Sequence, residues 1–409
     1  MLEAVIKVGL LIGGLMTAAA YLVLLERRMA AWTQDRIGPN RVGIPLTNIR
    51  LWGLGQPLAD GLKFVLKEEY TPAHVDKRLY TLAPLVILAA ALAIFAVIPF
   101  GSIVPPFHFG PLKSDGPIEL VVAPGVDVGM IYVFAVSSIA IYGVILGGWA
   151  SNSKYSFLGG LRSSAQLIAY EVPLGLGILG VVLASGSLRL DAIITAQANQ
   201  GWYVLLQPLG FVVFFVAALA EAARLPFDLP ECEQELIGGY HTEYSGMKLI
   251  LYLIGEFLHM ITAAFLIVIL FLGGWHFPLL TGEANAASIG WLTAALRIVV
   301  LLGKVFLVIV FFMWVRWSWP RFRFDQLMNL AWKVMLPLGL VNLVTVAILE
   351  EIRHVNGLRA STFGWTVGLA AVAWAVFALA WVVTAIFNPL VADNRPRRDL
   401  NPLQIDSQI

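Results

Sequence analysis

Nine stretches of this sequence are each long and apolar enough to cross a lipid bilayer, which rules out a water-soluble core. They lie at about 2–25, 79–98, 124–148, 165–185, 203–222, 249–272, 291–314, 331–350 and 364–388, against a requirement of about 20 apolar residues per span. Backbone polar groups in hydrocarbon find no water, so runs of this kind form helices. The expectation is an all-α polytopic membrane protein of about nine transmembrane helices, with residues 1–409 forming one integral membrane domain. Composition agrees: 59% of residues are hydrophobic and 13% charged, where soluble domains carry about 25% charged residues. The first run ends in Glu26-Arg27-Arg28 without a small-residue cleavage site. It therefore reads as a retained helix rather than a signal peptide.

Lysine and arginine set the orientation. With the N-terminus outside, the inside segments 26–78, 149–164, 223–248, 315–333 and 389–409 hold 20 of the 27 basic residues. The positive-inside rule thus places the N-terminus outside and the tail with Arg395, Arg397 and Arg398 inside. Within the first inside segment, Leu51, Leu54, Leu58, Leu62, Val65 and Leu66 recur at helical spacing, with Asp60, Lys63 and Lys67 between them. That pattern predicts an amphipathic surface helix over about 50–69, either an interfacial anchor or a seat for a partner protein. The Pro- and Gly-rich outside loop 99–123 reads as plain connection. Gly175, Gly177 and Gly180 match G-x-G-x-x-G, but they lie inside a span without a preceding strand, so no dinucleotide site follows. Small residues there, and at Gly9 and Gly13, suit close helix packing.

Chemistry concentrates in one place. Glu221, Asp228, Glu231, Glu233, Glu235, Glu243 and Glu256 fall within 36 residues, opposed only by Arg224 and Lys248. At 1.5 Å per residue, Glu171 is roughly 9 Å and Glu256 roughly 10 Å into their spans from the inside, and Glu221 closes a third span on the same side. Ionisable groups at such depths are costly and mark proton or ion pathways. Carboxylates held close together titrate as a coupled set, and their proton occupancy responds to a charge arriving nearby. That is the chemistry of a proton relay or an electrostatic coupling element. Two plainer readings stand beside it. Pro230 with Glu231 and Glu233 makes a good helix N-terminus, and Lys304 is an available ion-pair partner for Glu171 or Glu256. Cys232 is the only cysteine, which excludes an intrachain disulfide and a cysteine-ligated zinc or iron–sulfur site. The six histidines are scattered, without the spacing of a metal site. The basic loop with Arg27, Arg28, Arg36 and Arg41 around Gly38-Pro39-Asn40 reads as a topology anchor, and Trp32 and Gln34 beside Arg36 also suit a ligand pocket.

Five strings carry a resemblance: LLERRMAAWTQDRIGPNRVG (24–43), GLGQPLADGLKFVLKEEYTP (53–72), GWASNSKYSFLGGLRSSAQLIAYE (148–171), RLPFDLPECEQELIGGYHTEYSGM (224–247) and RWSWPRFRFDQLMNLAWK (316–333). Together they resemble the H-type membrane subunits of the respiratory NADH–quinone oxidoreductases (complex I), over nearly the whole chain. The resemblance implies a membrane subunit between the peripheral electron-transfer arm and the proton-pumping membrane arm, surrounded by lipid and binding no nucleic acid. Glu26, Arg27, Gln34, Arg36, Asp60, Arg316 and Arg321 would line a quinone-access chamber. Glu171, Glu221, Glu231, Glu233 and Glu256 would form an acidic funnel coupling quinone reduction to proton pumping. No cofactor would be bound by this chain; quinone would be the substrate, with NADH, FMN and iron–sulfur clusters in partner subunits. The implied location is a bacterial cell membrane ahead of an organellar inner membrane. The chain departs from the family pattern at Glu221-Ala222-Ala223-Arg224, where Glu-Thr-Asn-Arg is frequent, so a polar neighbour of Glu221 is missing. It also has Cys232 where alanine is common and Phe257 where tyrosine often follows the glutamate. Alternatives are the same module in a ferredoxin-dependent complex or membrane-bound hydrogenase, and, of another class, an autonomous ion transporter.

Overall fold

A computed structural model describes residues 2–43, 52–109, 112–114, 116–228, 237–278, 280–282, 289–357 and 363–387. Among the described residues, eight helices are long and apolar enough to cross a membrane, with a shorter apolar helix, Pro208–Glu221, beside them. The all-α polytopic architecture expected from hydropathy is the one found. In chain order the long helices are α1 (Leu2–Thr33), α3 (Lys77–Ile94), α4 (Gly129–Ala150) and α5 (Lys154–Ser185). They continue as α9 (Gly246–Phe271), α10 (Trp291–Ser318), the run α11 (Phe324–Asn329) to α12 (Leu336–Val355), and α13 (Phe363–Phe387). Shorter elements are α2 (Gln56–Leu66), α6 (Leu190–Gln200), α7 (Tyr203–Leu206) and α8 (Pro208–Glu221).

Helix α9 is the centre of the bundle. Every residue from Met260 to Phe271 is buried, as befits a helix apolar on all faces. Phe211 and Phe214 of α8 pack on its Phe271, while α10 turns Val299, Phe306 and Leu307 outward. Such outward apolar faces suit lipid rather than water.

Local sequence explains where the elements differ from the hydropathy reading. Helix α5 begins at Lys154, eleven residues before the expected span. Its first turns hold Ser156 and Ser163, which hydropathy reads as loop but which are buried here. A Cβ on Gly160 would lie 3.3 Å from Gly148 Cα, and one on Gly159 would lie 2.7 Å from Gly239. The missing side chains let α5 dock tightly on α4 and on the 239–241 turn. The expected span 203–222 is broken into α7 and α8 at Gln207, whose φ is −139° and ψ 61°. Pro208 supplies the reason: it lacks an N–H and pushes its predecessor out of helical geometry. Between α11 and α12, Leu330–Met335 forms a π-helical turn, set by Pro337 in the first turn that follows.

Two other expectations are revised. Loop 99–123 contains two small antiparallel ladders, Ile103–Val104 (β1) with Ile118–Glu119 (β4) and Phe107–Phe109 (β2) with Leu112–Ser114 (β3). A Cβ on Gly9 or Gly13 would meet nothing within 4 Å among the described residues, so neither glycine is needed there for close packing against them. The amphipathic helix is α2, with Leu58, Leu62, Val65 and Leu66 exposed along it.

Candidate functional site

The residues flagged by sequence gather at one end of the bundle, where α1, α8 and α10 finish and α5, α9 and α11 begin. Glu26, on the last turns of α1, is buried and accepts from two arginines: Arg224 at 3.4 Å and Arg316 in a close ion pair. The Arg224 guanidinium also lies over the Phe257 ring, 4.3 Å from its centroid. One carboxylate thus ties α1 to α10 and to the segment leaving α8. Removing one partner from such a buried pairing leaves an uncompensated charge. A second pair, Arg321 with Asp228 at 3.5 Å, fastens the segment before α11 to the same place. Phe322 N–H donates to Pro226 O at 3.2 Å alongside it.

Asp60 brings α2 into the group, accepting from Arg27 at 2.7 Å and from Gln56 at 3.1 Å. The Arg27–Asp60 pair is more exposed than that of Glu26. Gln34 and Arg36 stand apart: they bond each other at 2.7 Å and are exposed. An apolar groove of about 720 Å³ runs along α1, α9 and α10, past Leu10, Tyr21, Phe265 and Phe306. Arg28 and Leu54 stand at one end of it and Lys7 at the other.

Beside the ion pairs lies a cavity of about 60 Å³ lined by Glu171 from α5, Glu221 from α8 and Glu256 from α9. Three carboxylates from three helices therefore share one enclosed volume, large enough for a few waters. Their polar neighbours come from other elements. Ser138 of α4 donates to Glu171, Tyr240 donates to Glu256 at 2.9 Å, and Ser137 of α4 faces Glu221. Ser137 thus stands in for the polar neighbour that Ala222 and Ala223 cannot provide. Gln166 anchors the end of α8, donating to Ala220 O at 2.9 Å and Phe227 O at 2.8 Å. That clamp fixes Glu221 at the cavity wall.

Sequence reading missed Tyr240, His259 and the two serines. His259 had a signal: it follows Glu256 by three positions, which puts both on one helix face. The serines had none, because they arrive from α4. Pairing of Lys304 with Glu171 or Glu256 is not what the structure has. The Lys304 ammonium donates to the carbonyls of Leu272 at 2.6 Å, Gly274 at 3.0 Å and His276 at 2.8 Å. It lies 4.7 Å from the Trp202 ring, at the opposite end of α9 from the carboxylates. A cation suits the unpaired carbonyls and negative dipole of a helix C-terminus. Glu231 and Glu233, with Glu235, lie outside the described residues. Among the described residues, no group of three or more His, Cys, Asp or Glu side chains is arranged to hold a metal ion.

A multi-pass helical bundle of this kind, with ion pairs and a carboxylate-lined cavity at one end, is an integral membrane protein. The chain's family is specific: residues 6–347 match the model of the family described as NADH dehydrogenase. The chain is 45% identical over 347 residues to the first of the H subunits of NADH-quinone oxidoreductase in Geobacter metallireducens, covering 85% of this chain and 96% of that protein. It is 45% identical to the NADH-quinone oxidoreductase H subunit of Syntrophotalea carbinolica, covering 84% and 94%. It is 42% identical to NADH-quinone oxidoreductase subunit 8 of Rhodothermus marinus, covering 83% and 94%. The chain belongs to this NADH dehydrogenase family of membrane subunits. The matched segment ends before α13 begins.

Proposed function

We propose that the chain is the membrane subunit of a proton-translocating NADH–quinone oxidoreductase, forming the quinone-access chamber and the acidic funnel that couples quinone reduction to proton movement. Quinone takes up two electrons and two protons on becoming quinol, so its reduction changes charge and proton demand where it binds. Electrons come from partner subunits of the peripheral arm, which hold the NADH site, flavin and iron–sulfur clusters. This chain supplies the walls. Glu26, Arg27, Asp60, Arg316 and Arg321 form the polar head of the chamber, with Gln34 and Arg36 at its rim. The groove along α1, α9 and α10 suits an apolar quinone tail arriving from the bilayer.

The observation that carries the reading is Arg224. It bonds Glu26 of the chamber set and stacks on Phe257, the neighbour of Glu256 in the funnel set. A change in charge near Glu26 is felt by Arg224, and through it by the carboxylates behind. Glu171, Glu221 and Glu256 respond by changing how many protons they hold. Glu231 and Glu233 extend the funnel toward partner subunits of the membrane arm. The chain sits as one membrane domain in a bacterial cell membrane, with the N-terminus outside and the basic C-terminal tail in the cytoplasm, as the lysine and arginine distribution favours.

The test is Glu221→Gln and Glu171→Gln in the assembled complex. NADH oxidation with a hydrophilic artificial acceptor reports the peripheral arm and is expected to stay unchanged. Quinone-linked turnover is expected to fall about a hundredfold or more, in the range of a positioned proton-transfer group. Full quinone-linked turnover in both variants overturns the reading.

A further inference from the structure

His259 is assigned no part in the chamber or the funnel, yet its position is specific. Glu256 and His259 are three residues apart on α9 and line the same carboxylate cavity. His259 also lines a second, smaller cavity of about 10 Å³, walled mostly by Ile94, Phe134, Phe214 and Leu266 and reaching Thr262. Ser137, Glu221, Ala222 and His259 belong to both cavities. They are the partition between them. The larger cavity holds the three carboxylates, and the smaller one holds at most about one water. Its remaining walls are those of the buried core around α9.

We infer that His259 is a proton-relay residue that, with Glu221, passes protons across this partition between the carboxylate cavity and the water-sized cavity beyond it; this rests on the funnel reading above. Imidazole suits the place because it has two nitrogens. One accepts a proton while the other releases one, so a proton crosses the ring without a carboxylate having to swing. A carboxylate offers both oxygens on one carbon and relays poorly through a wall. Among the described residues the His259 ring makes no hydrogen bond, which leaves both nitrogens available to water or to a protonated carboxyl. The atom balance is simple: Glu221 or Glu256 gives up a proton, one ring nitrogen takes it, and the other nitrogen's proton passes to water in the smaller cavity.

The groups that face His259 are known from every element packed there. Glu171 comes from α5, Glu221 from α8, Glu256 from α9 itself and Tyr240 from the 239–241 turn. Helix α4 contributes only Ser137 and Ser138 beside apolar residues, and α3 only Ile87 and Ile94. Among the described residues, no lysine or arginine lines either cavity. The facing charge is therefore all acidic, a setting in which a protonated imidazole is a natural transient.

The experiment compares H259Q, H259L and E221Q in the assembled complex. It reads quinone-linked turnover from pH 6 to 9 and protons pumped per NADH oxidised, with the amount of this subunit in the purified complex as the measure of assembly. A relay predicts that both His259 variants lower quinone-linked turnover about a hundredfold, lower the protons pumped, and change the shape of the pH profile. H259Q keeps the polarity and bulk of the side chain, so a packing role alone leaves it near wild type in all three readouts; that result overturns the proposal, whatever H259L does. Impaired E221Q with wild-type H259Q removes only the role of His259. Wild-type turnover in E221Q as well removes the funnel reading itself.

Discussion

Arg224, three positions past the end of α8, donates to Glu26 on the first helix, 198 positions away in the chain. The same carboxylate pairs with Arg316. One anion therefore answers two cations in a buried site, and the two kinds of truncation are unequal. Glu26→Ala removes the anion that Arg224 and Arg316 share and is expected to cost about 3–5 kcal/mol, the range for breaking a buried pair. Arg224→Ala leaves Glu26 with Arg316 and is expected to cost less. Thermal unfolding of the purified complex, followed by loss of the membrane subunit, gives the order directly; equal losses contradict it.

Glu171 and Glu221 line one cavity and act on each other's charge. Substitutions at coupled sites do not add. The double variant E171Q/E221Q is expected to lose less quinone-linked turnover than the product of the two single losses. A double-mutant cycle on turnover measures this, and strict additivity shows that the two groups work independently.

His276, in the loop after α9, has its pKa lowered by burial, and further by the charges of Lys304 and Arg297. The unfolded chain therefore binds this proton more readily than the folded one. Stability linked to His276 is fully present above the ordinary histidine value of about 6.5 and is lost as pH falls through the folded pKa. Melting temperatures at pH 8 and pH 5.5 are expected to differ more for the wild type than for His276→Gln. An identical pH dependence in the two proteins removes His276 from the effect.

Gly159 faces the backbone of Gly239, with 2.7 Å left for a Cβ, while Gly175 meets nothing within 4 Å. Backbone cannot step aside as a side chain tip can. Gly159→Ala is expected to destabilise by about 1–3 kcal/mol through overpacking. Gly175→Ala is expected to be neutral or to stabilise by up to about 1 kcal/mol through helix propensity. Detergent-solubilised melts of the two variants test the contrast.

Much of this molecule was legible in its sequence, and the gaps have physical causes. Hydropathy reports the cost of burying side chains in lipid, so it finds α9 and α10. It misses the start of α5 because Ser156 and Ser163 are buried against protein rather than lipid. The break at Gln207 was readable from Pro208, since proline acts on its own chain. Glu171, Glu221 and Glu256 stood out because charge in a span is expensive. Ser137, Ser138 and Tyr240 did not, because a hydroxyl in an apolar helix costs little and their meaning comes from what the fold places opposite. Lys304 shows the same limit: depth alone pairs it with the nearest acids in the reading, whereas the turn after Phe271 gives it three carbonyls.

Helix α8 has 14 residues, a length of about 21 Å set against a hydrocarbon layer of about 30 Å. A span that short normally dimples the bilayer around it or tilts its neighbours. Here α7 fills the missing turn, and Trp374 of α13 donates its ring N–H to Leu205 O at 3.0 Å across the gap. Helix α13, which lies beyond the segment matched by the family, thus backs the broken fifth crossing at its weakest point with protein rather than lipid.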